Sequence, residues 1–173
     1  MMDALEAIQT RRSVRKYEKS EINDEIVEKL LSAAMSAPSA VNQQPWEFIV
    51  IKDREMLDAV PTFSKFARMA AHAPLGILIC GDTRNLISPG FWVQDCSAAT
   101  QNLLIAAHAL GLGAVWTGVY PMDPVDGRVT GFTKHCQLPE GVVPLAFVVL
   151  GYPAETPPKQ NRFDPRRIHA NVW

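Results

Sequence analysis

"GLGAVWTG", residues 111–118, decides the architecture of this chain. Its glycine spacing invites comparison with the Gly-x-Gly-x-x-Gly dinucleotide fingerprint. That fingerprint follows a strand, opens a helix, and keeps small residues where the backbone approaches a pyrophosphate. Here the order is reversed. The glycines follow Phe91–Leu110, a run of helical character, and lead into the apolar run Ala114–Val119. Trp116 stands where a small residue is required. Gly111 therefore reads as a helix stop, Gly113 as a tight turn, and "GAVWTGV" (Gly113–Val119) as a strand. Both departures argue against a Rossmann NAD site. The backbone N–H groups of Thr117 and Gly118, at the strand's end, remain available as donors to a ligand.

Working outward, Phe91–Leu110 carries Ser97, Ala98, Ala99, Thr100, Ala106 and Ala107. Its apolar and small surface runs most of the way round, which suggests burial at the molecular centre or at a subunit interface. Upstream, Met2–Gln9 reads as a short helix. "SEINDEIVEKLLSAAMSAPS" (residues 20–39) is the clearest helix, with Asn23 as cap, acids in the first turn, and Pro38 at its end. Trp46–Lys52 reads as a strand, a helix starts at Asp53, and "TFSKFARMAAH" (residues 62–72) reads as another. Leu75–Gly81 is a near-continuous apolar run, a strand covered on both faces. Downstream, "DPVDGRVTGFTKHC" (residues 123–136) is a weak helix interrupted by two glycines. Pro144–Tyr152 is a last central strand, and from Pro153 the chain loses periodicity and becomes an extended tail. That order predicts a layered α/β or α+β sandwich with four central strands.

At 173 residues the chain is sized for one domain. Seventeen Lys and Arg against 18 Asp and Glu leave a formal charge of −1, which argues against a general nucleic-acid binder. The N-terminus lacks the basic region and long apolar stretch of a secretory signal, and no apolar run reaches membrane-spanning length. Cys80, Cys96 and Cys136 form no paired motif and read as buried free thiols, the usage expected of a cytoplasmic protein.

Against that neutral background, "RRSVRKY" (Arg11–Tyr17) places Arg11, Arg12, Arg15 and Lys16 within six residues. Guanidinium forks and the Ser13 hydroxyl suit a phosphate, although a solvated basic turn has the same composition. "SAPSAVNQQPW" (Ser36–Trp46) sets Ser39, Asn42, Gln43 and Gln44 on a loop entering a strand, where amides and hydroxyls can read a heterocycle's edge. It reads equally as a plain connection. His72, His108, His135 and His169 have no metal-ligand spacing. There is no nucleophile elbow and no Walker loop. Any enzymatic chemistry therefore rides on a bound cofactor.

Four stretches in register resemble the nitroreductase family of flavin-dependent NAD(P)H oxidoreductases: "RRSVRKY", "SAPSAVNQQPWEFIVI", "ALGLGAVWTGVY", and "GYPAE" followed by "KQNRFDPRRIHANVW". The resemblance covers nearly the whole chain. It implies one domain over residues 1–173 with the α+β nitroreductase-like fold. In that fold a central, mostly antiparallel sheet of four or five strands is flanked by helices, and the extended tail 153–173 packs on a dimer partner. It further implies a cytoplasmic homodimer with two non-covalent FMN sites at the interface. Ping-pong hydride transfer would run from NAD(P)H through flavin N5 to nitroaromatics, quinones or similar small oxidants. By position, Arg11, Arg12, Ser13 and Arg15 of one subunit would hold the phosphate and ribityl chain. Pro38, Ser39, Ala40 and Asn42 of the other would line the ring. Val115, Trp116, Thr117 and Gly118 would pass its other face, and Arg162 would reach the phosphate. Lys159, Lys65 and Arg68 are further candidate contacts. The family often has a second hydroxyl at Ala40 and an acid at Thr117. No catalytic side chain, metal, nucleic acid or membrane is implied. Alternatives are a flavin destructase or dehalogenase on the same fold, or a non-catalytic flavin- or nucleotide-binding protein. Neither the physiological oxidant nor a preference between NADH and NADPH is legible.

Overall fold

The computed structural model describes residues 2–121 and 127–173. Four strands form its centre: β1 (Trp46–Ile51), β2 (Leu75–Asp82), β3 (Gly113–Gly118) and β4 (Val142–Gly151), in the order β1-β2-β4-β3. Every neighbouring pair is antiparallel. β2 and β4 are buried almost end to end, whereas β1 and β3 form the edges. The unbroken apolar run of Leu75–Gly81 thus reflects a strand covered on both faces, within an antiparallel sheet.

Alternation along β2 divides the interior. Ile77 and Ile79 face a core built with Leu30, Ala34, Cys96, Ala99 and Leu103, from α2 (Asp24–Met35) and α4 (Trp92–Ala109). Leu78 and Cys80 face a second core. That core includes Leu57 and Val60 of α3 (Arg54–Phe63), Phe132 of α5 (Arg128–His135), and Phe147 of β4. The expected layered mixed sandwich with four central strands is borne out. The short α1 (Ala4–Thr10) packs beside α4.

Local chemistry explains the boundaries. The Asn23 side chain accepts from the N–H of Ile26, and Asp53 accepts from the N–H of Met56, so α2 and α3 begin where their caps stand. Gly111, at φ +81°, ends α4 in the left-handed region. Pro144 sits inside central β4, at the point where the β2–β4 register shifts by a bulge, so its missing N–H is tolerated.

Two expectations need correction. Residues 62–72 do not form one α-helix: α3 runs through Phe63, and a 3-10 helix spans Lys65–His72. The buried positions Ser64, Ala67, Ala70 and Ala73 recur every third residue, the period of a three-residue turn. Gly113 is a strand residue with no left-handed backbone. Its lack of a side chain serves close packing, described below. Of the weak helix expected over residues 123–136, Arg128–His135 is helical and residues 123–126 lie outside the described residues.

Candidate cofactor site

The basic segment is seated on the sheet by a pair of glycines. Gly113 of β3 lies opposite Gly151 of β4. A Cβ added at Gly113 would lie 2.6 Å from Val14 Cγ1, and one at Gly151 would lie 2.8 Å from the Cβ and ring of Tyr17. The two missing side chains leave a trough that Val14 and Tyr17 fill. Backbone pairing then fixes the register. Ser13 bridges Ala114 in parallel, Val14 N donates to Ala114 O at 3.0 Å, and Tyr17 bridges Pro153. The buried Tyr17 hydroxyl lies 2.6 Å from Val14 O and 3.1 Å from Val149 O, and burial pushes its pKa up. The Glu155 carboxylate accepts from the backbone N–H groups of Arg15 (2.6 Å) and Lys16 (3.2 Å). With Val14 and Tyr17 turned inward, Arg15 and Lys16 are exposed.

This strand-like segment feeds two clefts. The first, of about 620 Å³, is lined by Arg11, Arg12, Lys159 and Arg162 among others. Burial, then the neighbouring charges of Arg162 and Arg12, lowers the Arg11 pKa, so an anion bound here would relieve the repulsion. The second, of about 390 Å³, is lined by Arg15, Phe66, Val115, Trp116, Thr117, Gly118 and Arg128. It brings one end of the basic segment to the end of β3. Thr117 is buried and its hydroxyl donates to Phe147 O at 2.8 Å, so its side chain is committed to β4.

The arginines differ in what they touch. The Arg12 guanidinium donates to the carbonyls of Gln9 (2.9 Å), Arg11 (2.7 Å), Pro158 (3.3 Å) and Gln160 (3.0 Å). It ties the tail to the N-terminal segment. Arg162 is exposed and donates to the side chain of Gln160 at 2.8 and 3.0 Å. Lys65 and Arg68 line neither cleft, and Lys65 Nζ lies 5.2 Å from the Phe66 ring.

Pro38, Ser39, Ala40 and Asn42 also line neither cleft. Their loop lies between α2 and β1, pinned to α4: Asp95 accepts from Ala40 N at 2.9 Å and from Gln43 Nε2 at 2.7 Å. Gln43, grouped above with the amides that could read a heterocycle, is thus directed inward.

Sequence reasoning passed over Asp95, Phe66 and Arg128. Asp95 had a signal, being the one acid in an otherwise apolar or uncharged helix. Arg128 is 6% exposed, donates to Gly118 O, and lies 5.0 Å from the Phe66 ring, but it belongs to a segment whose glycines mask any stripe.

His108 backs the first cleft, its Nε2 2.8 Å from Thr10 Oγ1. Burial, then Arg11 and Arg12, lowers its pKa from the usual 6.5. The unfolded chain therefore takes up the proton more readily. The His108 contribution to stability is present above about pH 6.5 and is lost as pH falls through its folded pKa. His108→Gln is expected to flatten the pH dependence of Tm below pH 6.5. An unchanged profile would remove His108 as its source.

The thiols of Cys80 and Cys96 are pushed up to about 12 by burial and that of Cys136 to about 11, consistent with structural cysteines. Among the described residues, no helix is long and apolar enough to cross a membrane, and no cluster of three His, Cys, Asp or Glu could hold a metal.

With this geometry in hand, the nitroreductase family model matches residues 8–73 and 64–152. The chain belongs to the nitroreductase family. A relative from Methanothermobacter thermautotrophicus, named "Putative NADH dehydrogenase/NAD(P)H nitroreductase", is 52% identical over 172 residues, covering 99% of this chain and 88% of its own. A crystal structure of the same name from Parabacteroides distasonis superposes with a TM-score of 0.91 at 41% identity, covering 100% of both chains. A crystal structure from Desulfovibrio desulfuricans, in complex with FMN, gives a TM-score of 0.85 at 29% identity and covers 100% of this chain and 99% of its own. The expected family and fold are borne out. The expectation of an NAD(P)H-dependent oxidoreductase that uses FMN agrees with these relatives.

Proposed function

We propose that this protein is an FMN-dependent oxidoreductase that takes electrons from NAD(P)H and passes them to nitroaromatics, quinones or similar small oxidants. The observation that carries the reading is the seating of Arg11–Tyr17 on the Gly113–Gly151 trough. One segment thereby supplies cations to a cleft beside Arg162 and, four residues on, a cation to the pocket at the end of β3. Clustered guanidinium groups suit a phosphate dianion, and exposed backbone at Gly118 suits the polar edge of a flat ring. Arg11 and Arg162 hold the phosphate, with Lys159 nearby and Arg12 securing the tail around them. Arg15 and Ser13 serve the chain between phosphate and ring, and Val115, Trp116, Thr117 and Gly118 line the ring. Bound FMN supplies a flat acceptor for two electrons, so no protein acid or base is required. One site serves reductant and oxidant in turn.

The loop Pro38–Asn42 lies outside both clefts of its own chain, so a complete site draws it from a second copy. The tail supports that reading, since Phe163, Ile168, Val172 and Trp173 are 73%, 64%, 77% and 99% exposed in a single chain. Light scattering is expected to give twice the 19.1 kDa chain mass. Deletion of residues 157–173 should shift it toward one chain mass, and a monomeric full-length protein would contradict the shared site.

The reading is tested on purified protein. It should be yellow, with flavin absorption that bleaches anaerobically on addition of NADH or NADPH. A colourless protein that takes up no FMN would sink it.

A further inference from the structure

Three of the six residues in Ser39–Gln44 lie in the left-handed region: Val41 at φ +47°, Asn42 at +55° and Gln44 at +48°. None is glycine, and Val41 is β-branched, the type least suited to that conformation. Such backbone persists only where its surroundings over-determine it, and it gathers at ligand-holding sites.

What over-determines it is Asp95. This residue stands in the first turn of α4, only 5% exposed. One carboxylate oxygen accepts from Ala40 N at 2.9 Å and the other from Gln43 Nε2 at 2.7 Å. Gln43 extends the anchor to the next loop: its Oε1 accepts from Ser88 N at 3.0 Å and its Nε2 donates to Ser88 O at 3.1 Å. Ser39 Oγ closes the loop on itself by accepting from Gln44 N at 3.0 Å. Val41 and Asn42, at the tip, are left exposed.

A buried carboxylate carries a desolvation cost, and both oxygens of Asp95 are committed to donors of this one loop. Its placement makes sense if a particular loop shape is what is needed. The geometry points to Asp95 as a positioning residue: it locks Ala40–Gln44 into the strained shape that offers Asn42 to the flavin ring. This rests on the FMN reading above.

The hydrogen-bond polarity supplies the test. Asp95→Asn puts an amide donor against the Gln43 amide donor. Gln43→Glu on top of it restores a donor–acceptor pair across the same gap but gives up the bond to Ser88 O, so the part of the loss that runs through residue 95 is what it recovers. Three quantities are read: FMN dissociation constant, the visible circular dichroism of bound flavin, and amide exchange at Ala40 in the apoprotein. Asp95→Asn is expected to weaken FMN binding about tenfold to a hundredfold, as befits one charge-assisted contact. It should also change the flavin dichroism and speed Ala40 exchange. The double variant should recover all three toward wild type. A merely structural role would lower the apoprotein Tm without that specific rescue. If Asp95→Asn does not fold, Gln43→Leu breaks the same anchor from the loop side and should weaken FMN in the same sense; an unchanged constant there overturns the proposal. Wild-type protein that binds FMN, beside an Asp95→Asn variant of unchanged affinity and dichroism, overturns the positioning role alone. Wild-type protein that takes up no FMN overturns both readings.

Discussion

Replacing Arg11 and Arg15 together with alanine is expected to raise the FMN dissociation constant by about 10²–10⁴-fold while the apoprotein keeps its fold. Each charge-assisted hydrogen bond contributes about 1.5–3 kcal/mol, and about 1.4 kcal/mol is a factor of ten. The fold survives because it uses these two residues through their backbone: Arg11 N donates to Ala7 O and Arg15 N to Glu155, and alanine keeps both. The Arg11 side chain is held against the charges of Arg162 and Arg12, so removing it relieves repulsion in the apoprotein. Arg12→Ala should behave differently. It would release four backbone carbonyls, two of them in the tail, and so loosen residues 158–160 before it weakens any anion. Titration of flavin fluorescence and a thermal melt on each variant separate the two roles. Unchanged FMN affinity in the double variant would show that the phosphate lies elsewhere.

The second large effect is expected at a residue that touches no ligand. Gly151→Val would put a Cβ 2.8 Å from the Cβ and ring of Tyr17. Tyr17 cannot yield cheaply, because its buried hydroxyl is tied to Val14 O and Val149 O. Overpacking of this kind costs about 3 kcal/mol, or roughly 6–12 °C in Tm for a domain of this size. Displacing Tyr17 also lifts the basic segment from β3, so FMN affinity should fall with stability. Gly90→Ala, where an added Cβ meets nothing within 4 Å, is the control and should leave both unchanged. A Gly151→Val protein with wild-type Tm and affinity would mean that the segment is not seated on this trough.

Much of this was legible in the residues. Helix caps at Asn23 and Asp53, the stop at Gly111, and the unbroken apolar run of β2 each act locally, so the sequence announces them. The 3-10 helix was misread because Lys65–His72 is amphipathic at the α-helical period as well. The informative pattern was the buried three-residue period Ser64, Ala67, Ala70, Ala73. Gly113 was misread for a different reason. Its partner Gly151 is 38 residues away, and their shared purpose appears only once β3 and β4 pair. For the proposed site, type and spacing only nominated the cations and the loop, each beside a plain alternative, and the resemblance to the family chose between them. Which cation is free for an anion and which secures the tail is a matter of tertiary hydrogen bonds, invisible in the string "RRSVRKY". Asp95 was missed because its partners, Ala40 and Gln43, lie more than fifty residues upstream.

The central claim is that the local knot of arginines serves the phosphate of one small flavin. The most direct measurement compares FMN with riboflavin, which carries the same ring and ribityl chain without the phosphate. FMN is expected to bind about a hundredfold or more tightly than riboflavin to the wild-type protein, and the gap should close in an Arg11→Ala, Arg162→Ala variant, which removes the two cations assigned to the phosphate. Equal affinity of the wild-type protein for FMN and riboflavin would contradict the claim.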